Sequence, residues 1–534
     1  MAAIPYPIPQ ARPAAHIARI PYKWQALSVV IIGTFMVMLD TTIVNIALPR
    51  IITVFGASVD DAQFVLTGYM LALAVIMPAT GYLTDTFGTK RIYLISMLFF
   101  TLGSALCGLA WGVPSLILFR VMQGLGGGML MPLGTTIIFK VVPPRERGSV
   151  MGLFGLPMLL APVLGPTLGG YLVEYVDWRV IFTLNIPVGI LGLVLCSALL
   201  RETDTRPNLR FDWRGFFLSG TGFSALLYGL ARAPPDGWTA LSSVVLLGGG
   251  TLIIIAWIFV ELVEPQPLLE LRVFNNRVFS LATAVSFVIT AGMFSSMFLL
   301  PLFLQNFRGL GAMESGLLMF PQALASGIMM PISGRLFDRI GPRPLITTGL
   351  LLLGFSTWQL VQLDTTTADS TIRNILMLRG FSMGLVMMPA MTTAMNTLAG
   401  PLVARGSSLT NVLRQLFGAF GTAIFASLLS SRQAFHQAML AQTVTPENPA
   451  VRTALFSAQR MVAHTGASTA QAHAIGVMML SRQVALRAAV LSFDDCFLIA
   501  AVICIVGVIP ACMLKSKGVA RPTGQPAAAH VGGE

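Results

Sequence analysis

The chain has 534 residues, of which 55% are hydrophobic and only 10% are charged. Soluble domains carry about 25% charged residues, so this composition excludes a soluble globular protein and predicts a protein that crosses a membrane many times. The formal net charge of +12 would suit nucleic-acid binding, but the basic residues cluster in loops between apolar runs. That placement indicates membrane topology and no nucleic-acid partner.

Fourteen apolar runs follow one another along the chain, each close to the roughly 20 residues that cross about 30 Å of hydrocarbon. We therefore predict an all-α polytopic membrane protein with fourteen spans. In chain order these are 24–48, 63–83, 92–112, 115–139, 149–173, 178–200, 214–233, 240–262, 278–304, 313–333, 344–362, 374–396, 407–430 and 491–514.

The basic residues predict the orientation. With the N-terminus in the cytoplasm, most lysines and arginines fall in inner loops, as Lys140 and Arg210 do, while the short outer loops hold only Arg50 and Arg308. This asymmetry follows the positive-inside rule and predicts that both termini are cytoplasmic. The five cysteines all lie within predicted spans, so we expect no disulfide framework.

The sequence repeats itself. GYLTDTFGTKR at 81–91 follows the second span, and GRLFDRIGPR at 334–343 follows the tenth. A second pair of similar segments is RVMQG at 120–124 in the fourth span and RGFSMG at 379–384 in the twelfth. Two parallel six-helix halves with a central site are typical of transporters. The predicted division is an N-terminal tail 1–23, a first half 24–200, an inserted helix pair with its loops 201–277, a second half 278–514 that includes a long outer loop 431–490, and a C-terminal tail 515–534.

Asp40 lies in the middle of the first apolar run. A carboxylate at that depth costs about 2.5–3.5 kcal/mol on insertion scales, so it is usually present because protonation or cation binding needs it. At 1.5 Å per residue, Asp40 lies about 24 Å along its span from the inner side, and Arg120 lies about 8 Å below the outer surface. In a core of about 30 Å these depths nearly coincide. We therefore predict an Asp40–Arg120 pair that couples transport to protons, or alternatively a permanent pair that only pins two helices.

Several of these segments resemble a known family. The duplicated loops are similar to motif A of the major facilitator superfamily, and 39–49 looks like the first-helix signature of its fourteen-span drug:proton antiporters of the EmrB/QacA type. The stretches WRVIFTLNIPVG at 178–189 and NVLRQLFG at 411–418 are also similar to that subfamily. The resemblance implies the major facilitator fold, with two inserted helices, and no enzyme activity.

The resemblance also implies roles for two further motifs. Motif A is associated with a gate at the inner ends, which assigns that role to Gly81, Asp85, Gly88, Lys90, Arg91, Gly334, Asp338 and Gly341. The run APVLGPTLGG at 161–170 resembles motif C, which the family associates with export. This resemblance implies an antiporter role for Gly165, Pro166, Gly169 and Gly170. Small residues permit close helix approach and prolines bend helices, so either a bend for rocking or simple tight packing explains this run.

The substrate cavity is less visible in the sequence. The polar residues that could face a central cavity are Gln123, Asn185, Asn411 and Gln415. A soft apolar wall could come from Phe35, Phe298, Phe320, Met129 and Met388, since methionine adapts to varied shapes; the alternative is that these apolar side chains face lipid or neighbouring helices. We expect no cofactor and no metal, only a proton gradient and the lipid bilayer. The long outer loop resembles that of EmrB, which implies a bacterial inner membrane, a periplasmic membrane-fusion adaptor and a TolC-like outer-membrane channel.

The function predicted from the sequence is proton-coupled export of amphipathic drugs or toxic compounds by alternating access. One alternative is an exporter of a specific metabolite, such as a siderophore or an amino acid, because the same motifs would serve it. A more remote alternative is a non-transporting scaffold or sensor.

Overall fold

The computed structural model describes residues 20–514, except 204, 207–208, 365, 446–447 and 464–468. The predicted tails therefore lie almost entirely outside the described residues. Within the described part there are helices, turns and loops but no strand. The α-helices are α1 (Tyr22–Phe55), α2 (Val59–Ile76), α3 (Thr80–Phe87), α4 (Thr89–Gly108), α5 (Val113–Val141), α6 (Arg147–Phe154), α7 (Leu156–Tyr175), α8 (Val180–Thr183), α9 (Asn185–Leu199), α10 (Trp213–Asp236), α11 (Leu241–Val263), α12 (Arg277–Arg308), α13 (Ala312–Ile340), α14 (Pro342–Gln359), α15 (Asp369–Asn396), α16 (Val403–Thr443), α17 (Pro449–Ala463), α18 (Thr469–Val506) and α19 (Val508–Cys512).

Helix ends follow local chemistry. α2 begins at Ser58, whose hydroxyl accepts a hydrogen bond from the backbone N–H of Asp61, which satisfies one of the free N–H groups of the first turn. Gly88 and Gly341, the second glycines of the two repeated loops, have φ of 92° and 82°. Other residues rarely adopt these values, so each glycine ends one helix and lets the chain turn into the next.

Thirteen helices of the described residues are long and apolar enough to cross a membrane. They account for every predicted span except the seventh, 214–233. That span coincides with helix α10 but is less apolar, because it carries Gly215, Ser219, Gly220 and Gly222 on its buried face. These small residues let α10 pack closely on α11 and also contact α2 and α16. The position of the helix was predicted correctly, but its composition alone does not mark it as a span.

The helices before α10 pack on one another, as do those after α11. α1 lies against α5 and α7, α5 lies against α2 and α4, and α15 lies between α13 and α14. Contacts between the two groups involve α6 and α7 with α13, and α3 and α5 with α16. The long loop predicted at 431–490 is mostly helical in its described residues: α16 continues to Thr443, α17 packs along α18, and α18 runs on into the last span.

Candidate functional site

Asp40 lies in a fully buried polar cluster between α1, α4, α5 and α9. Its Oδ2 is 2.6 Å from Nη1 of Arg120, and its Oδ1 accepts hydrogen bonds from Gln123 Nε2 at 2.9 Å and Asn185 Nδ2 at 3.2 Å. Ser104 accepts from both amides, at 3.1 and 3.0 Å. We call Asp40, Ser104, Arg120, Gln123 and Asn185 the Asp40 cluster. The Asp40–Arg120 contact predicted from span depth is therefore present.

The cluster is built for an ionised carboxylate. Three donors converge on Asp40, and Arg120 Nη1 also donates to Gln123 Oε1 at 2.7 Å. The guanidinium lies 3.9 Å from the ring centroid of Tyr69, which favours the cation further. A protonated carboxyl carries a donor where the ionised group has only acceptors. A proton on Asp40 would therefore place a donor opposite one of these donor groups.

A central cavity lies beside the cluster. It encloses about 1520 Å³, including its part open to solvent, and is lined by α1, α2, α5, α7, α12, α15 and α16. Nine methionines form much of its wall: Met38, Met70, Met77, Met131, Met158, Met293, Met297, Met387 and Met391. Thioether side chains adapt to differently shaped apolar ligands. Thr41 and Thr42, the neighbours of Asp40, also line this cavity, so one turn of α1 faces the cluster on one side and the cavity on the other.

The predicted cavity residues divide into three groups. Asn411 and Gln415 line the cavity. Gln123 and Asn185 belong to the Asp40 cluster instead, because Asp40 and Ser104 take up their amide groups. The three phenylalanines are not among the lining residues: Phe35 precedes the part of α1 that reaches the cavity, Phe298 packs beside another apolar cluster and Phe320 is exposed. Met129 and Met388 are not among the lining residues either, so residue type alone did not reveal which helix face lines the cavity.

A second cavity of about 780 Å³ shares Met158, Pro162, Met293 and Met297 with the first. It continues between α7, α12 and α13 as far as Pro166, Pro301 and Gly316. Gly316 lies in the first turns of α13, far from the repeated loop that follows the end of that helix. The empty space thus extends from the centre toward the end of the bundle opposite the motif A loops.

The second motif A loop bridges the two groups of helices. Asp338 accepts hydrogen bonds from the backbone N–H of Gly148 and of Ser149, both at 3.0 Å, and from Ser149 Oγ at 2.7 Å. A carboxylate is well placed there, because the free N–H groups at the start of a helix carry partial positive charge. A Cβ on Gly334 would overlap the carbonyl of Gly148, so the motif glycine permits close contact between α6 and α13.

The first motif A loop makes the corresponding contact with α16. A Cβ on Gly81 would lie 3.1 Å from Cα of Arg405. Asp85 is buried, with Lys140, Arg405 and Arg206 as its charged neighbours. Lys90 and Arg91 bind the loop after the sixth span: their backbone N–H groups donate to Glu202, at 2.9 and 3.2 Å. Ser407 Oγ on α16 also donates to the carbonyl of Pro132 on α5, at 2.8 Å. This end of the bundle is therefore packed shut.

The motif C glycines lie against α1, close to Asp40. A Cβ on Gly165 would overlap Thr42 Oγ1, and one on Gly169 would lie 2.9 Å from Ile43 Cγ1. Gly170 has no such neighbour within 4 Å. Pro162 and Pro166 lie inside α7, which remains one helix. Two of the three glycines thus bring α7 into contact with the turn of α1 that separates the cluster from the cavity.

Sequence reasoning missed three residues. Ser104 joins the two amides of the cluster, but a serine in an apolar span gives no distinctive signal. Glu202 binds the start of α4 from the loop after the sixth span, which spacing did not connect to motif A. Arg414 lines the cavity, and as a charged residue in the middle of a span it was a signal that could have been used. No group of metal-binding side chains was found in the part of the chain that the structure describes.

Known proteins with similar sequences belong to one family of membrane transporters. Residues 30–422 match the family described as Major Facilitator Superfamily. The chain is 36% identical over 493 residues, 92% of both chains, to the uncharacterized MFS-type transporter YhcA of Bacillus subtilis. It is 37% identical over 331 residues, 61% of both chains, to the multidrug resistance protein B homolog of Mycobacterium tuberculosis. A putative multidrug resistance protein, MdtD of Escherichia coli, is 36% identical over 334 residues, 62% of this chain and 70% of MdtD.

Solved structures share the fold at low sequence identity. The human organic anion transporter MFSD10 aligns with a TM-score of 0.56 at 15% identity, over 91% of this chain and all of MFSD10. The proton:xylose symporter XylE aligns with a TM-score of 0.54 at 13% identity, over 90% of this chain and 94% of XylE.

Proposed function

The chain belongs to the major facilitator superfamily and is a multi-pass membrane transporter of small molecules, and from that premise we propose that it exports amphipathic compounds in exchange for protons. The observation that carries this proposal is the position of Asp40. A buried carboxylate with three donors lies one residue from Thr41, which lines the central cavity. Occupation of the cavity and protonation of Asp40 can therefore influence each other through a single turn of α1.

The physical basis of exchange is competition between two states of the cluster. The ionised carboxylate holds α1, α5 and α9 together through Arg120, Gln123 and Asn185. A proton on Asp40 weakens these contacts and lets α1 move relative to its neighbours. A ligand shifts such an equilibrium only by its different affinity for the two arrangements, so the substrate must prefer the cavity of one of them.

The contacts at the motif A end support alternating access. We take 24–200 and 278–514 as the two units that rock, with α10 packed beside α2 and α16 and α11 packed on α10. The positive-inside distribution assigns the packed motif A end to the cytoplasm. The structure then corresponds to an outward-facing form, with the empty space continuing past Pro166 and Gly316. The contact of Asp338 with the start of α6 and the close approach of Gly81 to α16 hold the inner side closed.

The outer helices support a further part of the proposal. α17 and the first part of α18 extend beyond the spans and expose apolar side chains, among them Phe456 and Met478. In a Gram-negative inner membrane these helices would meet a periplasmic adaptor that leads to a TolC-like channel. The resemblance of this loop to that of EmrB is what supports that assignment.

The experiment is drug uptake into everted membrane vesicles energised by a pH gradient, comparing the wild type with Asp40→Asn. Asparagine keeps the size and most hydrogen bonds but does not titrate in this range. We expect gradient-driven uptake in the wild type and none in Asp40→Asn at equal expression, with the exposed-site variant Glu174→Gln as control. Full uptake by Asp40→Asn would refute the proposed coupling.

A further inference from the structure

Among the described residues that line the central cavity, Arg414 alone is charged. It lies on α16 and points its guanidinium between two methionines, with Nη1 3.7 Å from Met158 Sδ and Nη2 3.4 Å from Met131 Sδ. Its one strong hydrogen bond goes from Nη2 to Asn411 Oδ1 at 2.7 Å. Asn411 is itself fixed, since its Nδ2 donates to the carbonyl of Ser407 at 2.8 Å. The side chain is therefore held in place by its own helix.

The guanidinium has unused hydrogen-bonding capacity. It carries five N–H donors, while the contacts above use one strong acceptor and two weak thioether acceptors. No carboxylate lies within ion-pair distance of Arg414 among the described residues. Arginine stays charged at any physiological pH, and an unpaired charge in an apolar wall is costly. The cavity thus presents a fixed cation with free donors.

The interior of the bundle is positive beyond this one residue. Arg120 is neutralised by Asp40, but Arg379, the repeat counterpart of Arg120, has no acid within ion-pair distance among the described residues. It is fully buried and donates to Thr357 Oγ1 and to the carbonyl of Gly292. Its Nε has no hydrogen-bond partner in the described part of the chain. Arg379 and Arg414 together make the region around the cavity attractive to anions.

We propose that Arg414 recognises the negatively charged group of the substrate, and that the exported compounds are amphipathic anions. This inference rests on the proposed export function and specifies its substrate class. A carboxylate or sulfonate pairs with two parallel N–H groups of a guanidinium. Gln415, next along α16, also lines the cavity and offers an amide to the same group. The apolar body of the compound lies on the methionines.

The same geometry disfavours cationic drugs. The described lining residues include no carboxylate, and Asp40 is enclosed by its own partners. A quaternary ammonium compound in this cavity would therefore meet no negative charge and would be repelled by Arg414. The opposing explanation is that Arg414 only packs between Met131 and Met158 and stabilises the bundle. The two explanations differ in whether replacement of Arg414 changes the charge preference of binding.

The test uses two fluorescent probes of matched chain length and opposite charge, 11-(dansylamino)undecanoic acid and N-dansyl-1,11-diaminoundecane, whose free amine is protonated. Binding is titrated with the purified transporter in phosphatidylcholine nanodiscs, with empty nanodiscs subtracted. The wild type, Arg414→Gln, Arg414→Lys and the exposed-site control Arg482→Gln are compared. We expect the wild type to bind the acid in preference to the amine. Arg414→Gln should weaken acid binding about tenfold or more, because a charge-assisted hydrogen bond is lost, while Arg414→Lys retains part of the affinity.

The outcomes are distinguishable. Preferential binding of the amine by the wild type, an absence of acid binding, or unchanged acid binding in Arg414→Gln would each overturn the inference. Loss of both probes to the same degree in a folded Arg414→Gln would also overturn it, since that is the result of a structural role. Gradient-driven uptake of the probes into everted vesicles is measured in parallel. Uptake of the amine alone would leave export standing without Arg414 recognition, whereas preferential acid binding with no gradient-driven uptake would reject export and not the recognition.

Discussion

Replacing Asp338 by asparagine should open the inner side of the transporter. The carboxylate accepts from two backbone N–H groups and one hydroxyl at the start of α6. Asparagine loses the charge and turns one oxygen into a donor that faces other donors. Hydrogen bonds to a charged group contribute about 1.5–3 kcal/mol, and because Asp338 is exposed to solvent we take about 1–2 kcal/mol. The ratio of inward-open to outward-open protein should therefore rise about 5- to 30-fold.

The assay is maleimide labelling of a cysteine at position 407. Ser407 is fully buried and bonds across the bundle to the carbonyl of Pro132, so a reagent reaches it from the cytoplasm only when the inner ends separate. The exposed Cys512 is first replaced by serine; the other four cysteines are buried. Faster labelling is expected in Asp338→Asn and not in Glu174→Gln. Equal rates in both, with transport intact, would refute the assignment of Asp338 to an inner gate.

Three further outcomes are expected. Arg120→Ala should lower thermal stability in detergent by more than the double variant Asp40→Asn/Arg120→Gln, because it leaves Asp40 as an unpaired buried charge, which costs about 3–5 kcal/mol. Equal losses would mean that the unpaired carboxylate of Asp40 is not destabilising. Gly165→Val should abolish transport, because its side chain overlaps Thr42, whereas Gly170→Val should be tolerated; equal effects would argue against α1–α7 contact at this glycine. Replacing 440–485 with a short Gly/Ser linker should reduce resistance in Gram-negative cells more than transport in vesicles, and unchanged resistance would exclude adaptor docking.

Much of the fold follows from the sequence for simple reasons. Apolar runs predicted the position of every spanning helix, including α10, whose small residues lower its hydropathy and let it pack on three other helices. The Asp40–Arg120 pair was predictable because two opposite charges at the same depth in hydrocarbon have few other groups with which to pair. The repeated loops likewise predicted equivalent positions for Asp85 and Asp338, although Asp338 binds the start of α6 directly and Asp85 lies among basic side chains.

The cavity could not be derived in the same way. Phe35, Phe298 and Phe320 have the residue type of a drug-binding wall, but which face of a helix meets the cavity depends on how both groups of helices pack. Gln123 and Asn185 are polar, but they lie beside a buried carboxylate that needs hydrogen-bond donors, so their amides bind Asp40 and not a ligand. Arg414 is the opposite case. A cation in the middle of a span without a matching acid was visible in the sequence, but only the structure places it on the cavity.

The most direct test of proton coupling through Asp40 is proton movement in proteoliposomes that contain a pH-sensitive dye. With the wild type, adding a transported substrate on one side should move protons in the opposite direction. Asp40→Asn should lose that proton movement yet still exchange labelled for unlabelled substrate across the membrane without a gradient, because the cavity is unchanged. Substrate-driven proton movement of wild-type size in Asp40→Asn would contradict the account.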